Sequence, residues 1–463
     1  MINSITVDLN GQPMVQQNQL IDIYNHFRLL TSESWSSQNR WNTIGFYRDV
    51  ATAAGYSVDD TIYAPNAIPA NNIDLNEGFI ERIKYILDDA GLTFSGEVES
   101  VLSNLITKTE MAKLYVSHVS NVTAGTADTK SPVVQYSVKA IIMLKDIHPL
   151  FEVIPISKSL NFKIQIFWNN SVATATHDGS QWTSQSSQYR AYNGTMPLML
   201  NNFIDGFAAS PAGTLRVSAY VGDTCHDSVQ KSVTSQGLTT GGVGKQVELW
   251  VPAYQMLPDV EFKYSDNHNR DISYFDYYQF THKNIASGES FNHLVSNGIS
   301  NLKAVFIVPF LSTTNTKSVT VGDVTTVTTV GVNNNVNLFD DGGPQLMAHI
   351  NNFNVLVGGS NVLHQDSRYT YQQFNNEFFN EFGINGNQSP GLGSCLIDFK
   401  SWLKKPYYYV NCSRIPLEQQ KLYRSLQIKG TNSSKLPIDY VIFAIYEKNF
   451  QLDVISGIVS EIK

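Results

Sequence analysis

The sequence predicts an all-β protein with two domains of the sandwich or jelly-roll type, long loops and a few short helices. Two observations support this prediction. From about Leu114 onward, short runs of Val, Ile, Tyr and Phe alternate with clusters of Gly, Pro, Asn, Asp or Ser. The 463 residues are too many for one ordinary core and suit two domains of about 200 residues each. We find no internal repeat of fixed period, which excludes solenoids and propellers.

The composition favours a structural β protein over a freely diffusing enzyme. Charged residues make up 16% of the chain, against roughly 25% in average domains, and aromatic residues make up 11%. The formal net charge is -8. Binding to nucleic acid by overall charge needs clustered Lys and Arg, so the net charge argues against it and leaves a local basic patch as the alternative. We expect no direct sequence-specific nucleic-acid binding.

Cysteine usage and hydropathy exclude several further classes. The cysteines are odd in number and lack CxxC spacing, so they predict neither a disulfide framework nor a zinc site but free, buried thiols. They are Cys225, Cys395 and Cys412. The start of the chain lacks the pattern of a secretory signal. The longest apolar runs, at 304–311 and 440–446, are far shorter than the roughly 20 residues of a membrane-spanning helix and predict buried strands.

Two segments of the first hundred residues have helical spacing. Apolar residues from Leu20 to Leu30 fall on one face of a helix, which is either a core helix or an arm that docks on a neighbouring subunit. The second predicted helix begins near Asn76, a suitable N-cap, and ends near Gly91.

The stretch 249–280 joins two halves of similar length, and we interpret it as a hinge between two β domains. Its pattern predicts a short strand at 249–253, a polar turn at 266–271 and a second strand over ISYFDYY. Its tyrosines pack between domains or, in the alternative interpretation, form a binding site.

The segment 138–168 contains a predicted strand, a corner and another strand. Residues 138–144 and the alternating apolar residues of 162–168 have strand patterns, and the prolines of 146–155 predict a corner between them. His148 and Glu152 in this corner raise the possibility of chemistry, but such residues more often satisfy backbone groups at a bend.

Loops and turns are predicted at four further places. The polar stretches 169–193 and 226–245 are longer than hairpin connections and predict surface loops. Gly322-Asp323 and Gly358-Gly359 each separate two β-rich runs, which predicts two-residue hairpin turns.

No motif of catalysis or cofactor binding is complete. Residues 241–245, GGVGK, fail the phosphate-loop pattern at two positions, and Gly288-Glu289-Ser290 does not continue as a hydrolase elbow. The turn at Asp340-Asp341-Gly342-Gly343 lacks the ligand spacing of a calcium loop, and a weak ion site there is the less favoured alternative. We therefore predict no enzyme and no catalytic, cofactor-binding or metal-binding residues, although two distant carboxylates can form a glycosidase site without a motif.

Several patches, in order along residues 144–457, carry a resemblance to a known family. They include LKDIHPLFEVIPISKSLNFKIQIFWNN, VELWVPAYQMLPDVEFKYSDNHNRDISYFDYY, YTYQQFNNEFFNEFGINGNQSPGL, KPYYYVNCSRIP and RSLQIKGTN. Together they resemble the major capsid proteins of polinton-like viruses, virophages and adintoviruses. Those proteins are double jelly rolls related to the adenovirus hexon. The resemblance implies an N-terminal segment plus a first jelly roll over 1–250 and a second jelly roll over 251–463.

The resemblance also implies a function and partners. The chain is expected to form a homotrimer with six jelly rolls in a pseudo-hexagonal outline, and trimers are expected to tile the icosahedral capsid of a double-stranded DNA virus. Its partners are then other copies of itself, a penton protein and minor capsid proteins, and it is located in the virion after assembly inside the host cell. The alternative, from another class, is a carbohydrate-binding or carbohydrate-active β-sandwich protein.

Overall fold

The computed structural model describes residues 2–32, 114–124, 131–140, 142–157, 161–168, 171–177, 182–187, 213–219, 249–252, 254–266, 268–311, 316–321, 324–329, 348–364, 368–379, 396–415, 422, 424–434 and 437–462. Strands dominate these residues and the helices are short, as the sequence predicts. The predicted helix at 76–91 and the predicted loop at 226–245 lie outside the described residues.

The first half of the chain contributes eight described strands and three helices. These are β1 (Ile2–Leu9), β2 (Gln12–Gln19), α1 (Ile21–Ser32), β3 (Leu114–Ala124), β4 (Ser131–Ala140), α2 (Leu144–Ile147), α3 (Leu150–Val153), β5 (Phe162–Trp168), β6 (Ser171–His177), β7 (Trp182–Ser187) and β8 (Gly213–Ala219). The predicted helix near Leu20 is thus confirmed as α1, and the alternating segment 162–168 is confirmed as β5.

The second half is richer in strands. Its described elements are α4 (Pro258–Asp266), β9 (Asn269–Ile285), β10 (Ser290–Ile299), β11 (Leu302–Leu311), β12 (Thr316–Val321), β13 (Val324–Thr329), β14 (Ile350–Val357), β15 (Ser360–Asn361), α5 (Tyr371–Phe379), α6 (Phe399–Lys404), β16 (Tyr408–Asn411), β17 (Arg424–Asn432), β18 (Ile438–Asp453) and β19 (Val459–Glu461).

The strands of the second half form a jelly roll. One sheet has the order β9-β18-β11-β16, and the other has the order β10-β17-β14-β15. Without the β12–β13 hairpin and β19, eight strands remain, and they can be counted in chain order from β9. The first sheet then contains the first, eighth, third and sixth of these strands. The second sheet contains the second, seventh, fourth and fifth. All these neighbours are antiparallel. Eight strands in two such sheets are the defining arrangement of the jelly roll.

The sheet that contains β18 is buried on both faces. On one face, the ring of Tyr408 packs against Phe353 of the other sheet, with centroids 5.2 Å apart. On the other face, α1 and α5 cover the strands. Nine consecutive residues of β18, 438–446, are consequently buried, which explains why this strand is a continuous apolar run rather than an alternating one.

A row of aromatic rings joins α1 to the sheet. Tyr409, Phe306 and Phe443 lie opposite one another on three neighbouring strands. From α1, Phe27 stacks on Phe306 with centroids 4.4 Å apart, and Tyr24 contacts Phe443 at 6.0 Å. The apolar face predicted for this helix is therefore buried, and α1 is a core helix of the chain.

A second core lies beyond the jelly roll, at the far end of the β9–β18 pair. It contains Ile272 and Tyr274 of β9 and Phe450 and Leu452 of β18. The N-terminal hairpin β1–β2, strand β5 and the corner helices α2 and α3 supply the rest. Strands β9 and β18 pair along both cores, with one register shift between Ile438 and Tyr440, so they connect the two.

Two predicted segments of the first half are wrong in detail. The predicted loop 169–193 contains β6 and β7, which pair with each other, because its alternating Thr, Ala and Ser residues suit a strand. The predicted strand 138–144 ends with β4 at Ala140, and Leu144 begins α2 instead.

The central stretch also differs from its prediction. Residues 249–252 and 254–257 form neither strand nor helix, so the predicted strand at 249–253 is wrong. The next nine residues, at 258–266, form α4. Pro258 in the first helical position and acidic residues in the first turn are the sequence signals that favour this helix. The predicted strand ISYFDYY is confirmed as part of β9.

Both predicted hairpins are supported by strand pairing. Val321 lies opposite Val324, which leaves two residues for the turn, although Gly322 and Asp323 themselves lie outside the described residues. In the other hairpin, Val357 lies opposite Ser360 across Gly358-Gly359.

None of the helices in the described ranges has the length and apolar character needed to span a membrane.

We predict that the turn at Gly358-Gly359 does not tolerate β-branched residues. The two glycines have φ values of +60° and +81°, the left-handed region that a two-residue type I′ turn needs and that valine avoids. Replacing both with valine is expected to lower the free energy of unfolding by about 2 kcal/mol or more. Thermal unfolding should show an earlier transition, and light scattering should show aggregated protein.

The matched control for this turn is Gly358→Asn with Gly359 kept. An added Cβ at Gly358 approaches only the flexible end of Arg424, at 3.0 Å from Nη1, and Asn accepts a positive φ. This variant should melt close to the original protein. A double-valine variant with an unchanged melting temperature would show that the turn does not set the strand register.

Candidate functional site

The corner between β4 and β5 contains a fully buried histidine. His148 lies between α2 and α3, and its ring has no exposed surface. Its Nδ1 atom accepts a hydrogen bond from the backbone N–H of Leu150 at 3.1 Å. The prediction that His148 satisfies a backbone group at this bend is confirmed. Glu152, considered with it, lies exposed on α3.

The same hydrogen bond defines the tautomer of His148. Because Nδ1 is an acceptor, we assign the proton of the neutral ring to Nε2. The Nε2 atom lies 3.5 Å from Oδ1 of Asp276 and is directed at that carboxylate. Burial lowers the pKa of His148 more than the hydrogen bond with Asp276 raises it, so the ring is neutral at pH 7.

Asp276 of β9 is the centre of this polar cluster and is only 1% exposed. Besides His148, its partners come from β2, β9 itself and β18. They are Nδ2 of Asn18, the backbone N–H of Tyr277 at 2.8 Å, Nζ of Lys448 at 2.7 Å and Oη of Tyr446 at 3.4 Å. Burial alone raises the pKa of Asp276, but the hydrogen bond from His148 and the charge of Lys448 outweigh burial, so the pKa lies well below its usual range.

The cluster is suited to holding segments together rather than to catalysis. A histidine beside an aspartate is a familiar acid–base pair, but here both side chains are inaccessible to a substrate. A buried carboxylate is tolerated when it is paired and fully hydrogen-bonded, as Asp276 is. The cluster therefore links the N-terminal hairpin and the corner to the long strands β9 and β18.

Sequence reasoning identified only one member of this cluster. His148 was noticeable because it lies in a corner between prolines. Asp276 had a weaker signal, a single charge inside the aromatic strand ISYFDYY. Asn18 and Lys448 had none, because each reaches Asp276 across more than 170 residues of sequence.

An exposed apolar segment lies next to the corner, in the connection that leads into the second half. Seven large apolar side chains within 14 residues are each more than half exposed, with Trp250 at 84% and Phe262 at 75%. The others are Leu249, Val251, Tyr254, Leu257 and Val260. We call these seven residues the linker surface.

The linker surface is large for a monomer. Its three aromatic side chains alone expose on the order of 450 Å², if each presents about 200 Å² when fully exposed. The largest apolar patch of a typical monomer is about 300–600 Å², and a standard protein interface uses about 800 Å² per partner. With the four aliphatic residues added, the summed exposed area of the seven side chains is comparable with one side of a standard interface.

Helix α4, which carries part of the linker surface, contains no buried residue. It is held at its C-terminal end, where the hydroxyl of Tyr264 donates a hydrogen bond to the carbonyl oxygen of Ile156. The guanidinium of Arg270 lies over the Tyr264 ring, 5.3 Å from the centroid. A nine-residue helix is marginal in water without packing, and the partly buried Tyr264 packs α4 against the second core.

Other candidate residues do not form a site. Gly288-Glu289-Ser290 lies at the turn from β9 to β10, as its loop prediction requires. Across the described part of the chain, no three His, Cys, Asp or Glu side chains come together to hold a metal ion. Asp340-Asp341 and the segment 241–245 lie outside the described residues.

These features define an all-β, jelly-roll protein with a buried polar cluster around Asp276 and an exposed linker surface. No protein-family model matches the chain, and no curated protein matches it. Among solved structures, a chain of the Sputnik virophage, determined by cryo-EM, is similar over all of this chain and 74% of its own length, with 12% identity and a TM-score of 0.46. A chain of the PBCV-1 virus capsid is similar over all of this chain and 83% of its own, with 8% identity and a TM-score of 0.33.

We predict that Asp276 stabilises the fold through its charge. Asp276→Asn keeps the shape of the side chain but leaves the ammonium of Lys448, which is 14% exposed, without its counter-charge. Removing one partner of a buried ion pair is expected to cost about 3 kcal/mol. Chemical denaturation should show a midpoint shifted to lower denaturant with an unchanged slope.

The control makes the same change on the same strand. Asp271 is exposed and accepts a hydrogen bond from Nε2 of Gln451 at 3.2 Å. Asp271→Asn should change the free energy of unfolding by no more than about 0.5 kcal/mol. Equal effects of the two substitutions would show that the cluster around Asp276 is no more important than a surface contact.

Proposed function

We propose that this chain is the major capsid protein of a double-stranded DNA virus, a subunit that assembles with copies of itself into an icosahedral shell. Three observations support the proposal. The sequence patches in residues 144–457 resemble such proteins, and the second half of the chain has the strand order of a jelly roll. The observation that carries it is the linker surface, because a shell subunit must present apolar surface to its neighbours.

The occupant that we propose for the linker surface is a second copy of this chain. The summed exposed area of its seven side chains is comparable with one side of an interface between proteins. Its aromatic content is typical of interface cores, where charged residues are depleted. Identical contacts that close into a ring give a defined oligomer, and we propose a trimer.

The proposed domain division follows from this function. The second jelly roll occupies residues 251–463, and the first occupies the remainder of 1–250 after the N-terminal segment, which gives six jelly rolls per trimer. Residues 2–32 belong to the N-terminal segment in this division but pack against β9, β11 and β18. The segment thus ties the start of the chain to the second jelly roll.

Further partners and the location follow from the same proposal. Trimers contact other trimers, and penton and minor capsid proteins complete the shell in the virion, which is assembled inside the host cell. With a net charge of -8, the chain has no overall attraction for DNA, and we propose no sequence-specific contact with it. The role is structural, without catalysis or a cofactor.

Light scattering tests the proposal directly. At micromolar concentration the protein should have three times the 51.6 kDa mass of one chain. Replacing Trp250 and Phe262 together with serine removes two of the most exposed rings of the linker surface and should give a folded monomer. Electron microscopy of the original protein, alone and with a penton protein, should show capsomers or shells.

The control variant is Leu294→Ser. Leu294 is 49% exposed on β10, outside the linker surface, and should not affect the mass of the oligomer. A monomeric original protein would contradict the capsid function. A trimer that persists in the double-serine variant would show that the copies meet through another surface.

A further inference from the structure

We infer that His148 is an acid-sensitive latch that holds the corner against the long strands β9 and β18. While the corner is held, the linker surface keeps the conformation that binds a second copy of the chain. The corner comprises residues 142–157. The effect on association rests on the proposed function, whereas the opening of the corner does not. The inference concerns regulation of the same surface and depends on three structural observations.

The first observation is that His148 fits its surroundings only as a neutral ring. Protonation would place a hydrogen on Nδ1, which now accepts the N–H of Leu150. Two donors would then face each other, and the hydrogen bond that shapes the bend would be lost. A buried amide left without an acceptor is unfavourable. Protonation of His148 therefore lowers the free energy of the open corner, in which this amide contacts water, relative to the closed one.

The second observation concerns the charges that face His148. Among the described residues whose charge acts on the His148 ring, Asp276 is the one anion. Its carboxylate already pairs with Nζ of Lys448 at 2.7 Å. The positive charges of Arg28 on α1 and Lys448 on β18 both oppose a proton on His148, and burial opposes it further. The ring of Tyr274 packs edge-on against it, with centroids 5.9 Å apart, and adds no charge to compensate.

The third observation is that the corner supports the linker surface. Ile156 accepts the hydrogen bond from Tyr264 that fixes the end of α4. Next to it, Ser157 donates to the carbonyl oxygen of Val454 at 3.2 Å. The corner also contributes exposed apolar residues of its own, among them Met143 and Ile156. If the corner moves away, α4 loses this hydrogen bond, and its end is held by the contact of Tyr264 with Arg270 and the second core.

The direction of the pH effect follows from the histidine alone. The pKa of His148 is lowered in the folded corner and returns to about 6.5 when the corner opens, so the open form binds more protons. The latch is therefore fully effective above pH 6.5 and weakens as the pH falls below it. Asp276 does not contribute between pH 7 and pH 5. Its pKa is lowered in the closed form, and the ordinary pKa of an aspartate in water, about 3.9, keeps it ionised in the open form.

Amide hydrogen exchange of the full-length protein at pH 7 and pH 5, corrected for the intrinsic rates, tests the latch. Protection of peptides covering 147–157 should fall by up to about 25-fold at pH 5, the change expected for one histidine with a pKa of 6.5 in the open form. Peptides from β11 should change much less. Light scattering of the same samples should show dissociation at pH 5.

His148→Asn is the informative variant. Its side-chain oxygen can accept the N–H of Leu150 two residues on, as Asn commonly does in turns, but it does not titrate. The variant should keep the corner protected and the oligomer intact at both pH values. His282 and His293, whose rings stack 4.3 Å apart on β9 and β10, also have lowered pKa values because of burial, and they remain in this variant as an internal control.

The outcomes separate the latch from the proposed function. Equal protection of 147–157 at both pH values, or the same loss in His148→Asn, would overturn the latch. Opening of the corner in a trimer that stays intact at pH 5 would overturn its coupling to association. A protein that is monomeric at pH 7 contradicts the capsid function, while the exchange measurement still decides whether His148 holds the corner.

Discussion

The antiparallel pairing of β9 with β18 is the interaction on which the rest of the structure depends. The ladder runs from Ile285 opposite Ile438 to Asn269 opposite Asp453. One end of it lies in the jelly-roll core and the other in the second core. Because these strands pass through both, the two cores cannot separate unless backbone hydrogen bonds break. Asp276, near the middle of β9, lies where the N-terminal hairpin and the corner meet this ladder.

The sheet around β18 needs cover on both faces, and this requirement explains the helices. A lone sandwich buries one face of each sheet and leaves alternating polar residues on the other. Here Phe306, Phe443 and Tyr409 point away from the second sheet and are fully buried under α1 and α5. The helices thus form a third layer, and the start of the chain is part of the jelly-roll core.

Local patterns predicted the elements that depend on neighbouring residues. The helical face from Leu20 to Leu30, the alternation in β5 and the turn at Gly358-Gly359 are all present, because each depends on spacing within a few residues. Likewise the run 440–446 is a buried strand, as predicted. The jelly-roll order itself was supplied by resemblance rather than by periodicity.

The sequence could not reveal features that depend on distant partners. The loop prediction for 169–193 failed because polar Thr and Ser residues suit both loops and strands, and pairing between β6 and β7 decides the outcome. The predicted strand at 249–253 has apolar alternation but no neighbouring strand among the described residues. The cluster around Asp276 could not be predicted from the sequence, because its members come together only in the folded chain.

The N-terminal hairpin and its partners lie far apart along the sequence, and this has a consequence for synthesis on the ribosome. Met14 accepts a hydrogen bond from Lys448, and Asn10 donates one to Gly457, across 434 and 447 residues of chain. At about 5–20 residues per second, translation delivers these partners roughly 20 to 90 s after the hairpin emerges. During that interval the sheet under α1 is incomplete, because Phe443 of β18 is made long after Phe306 of β11. The N-terminal hairpin and α1 therefore reach their final packing only when nearly the last strand has been made.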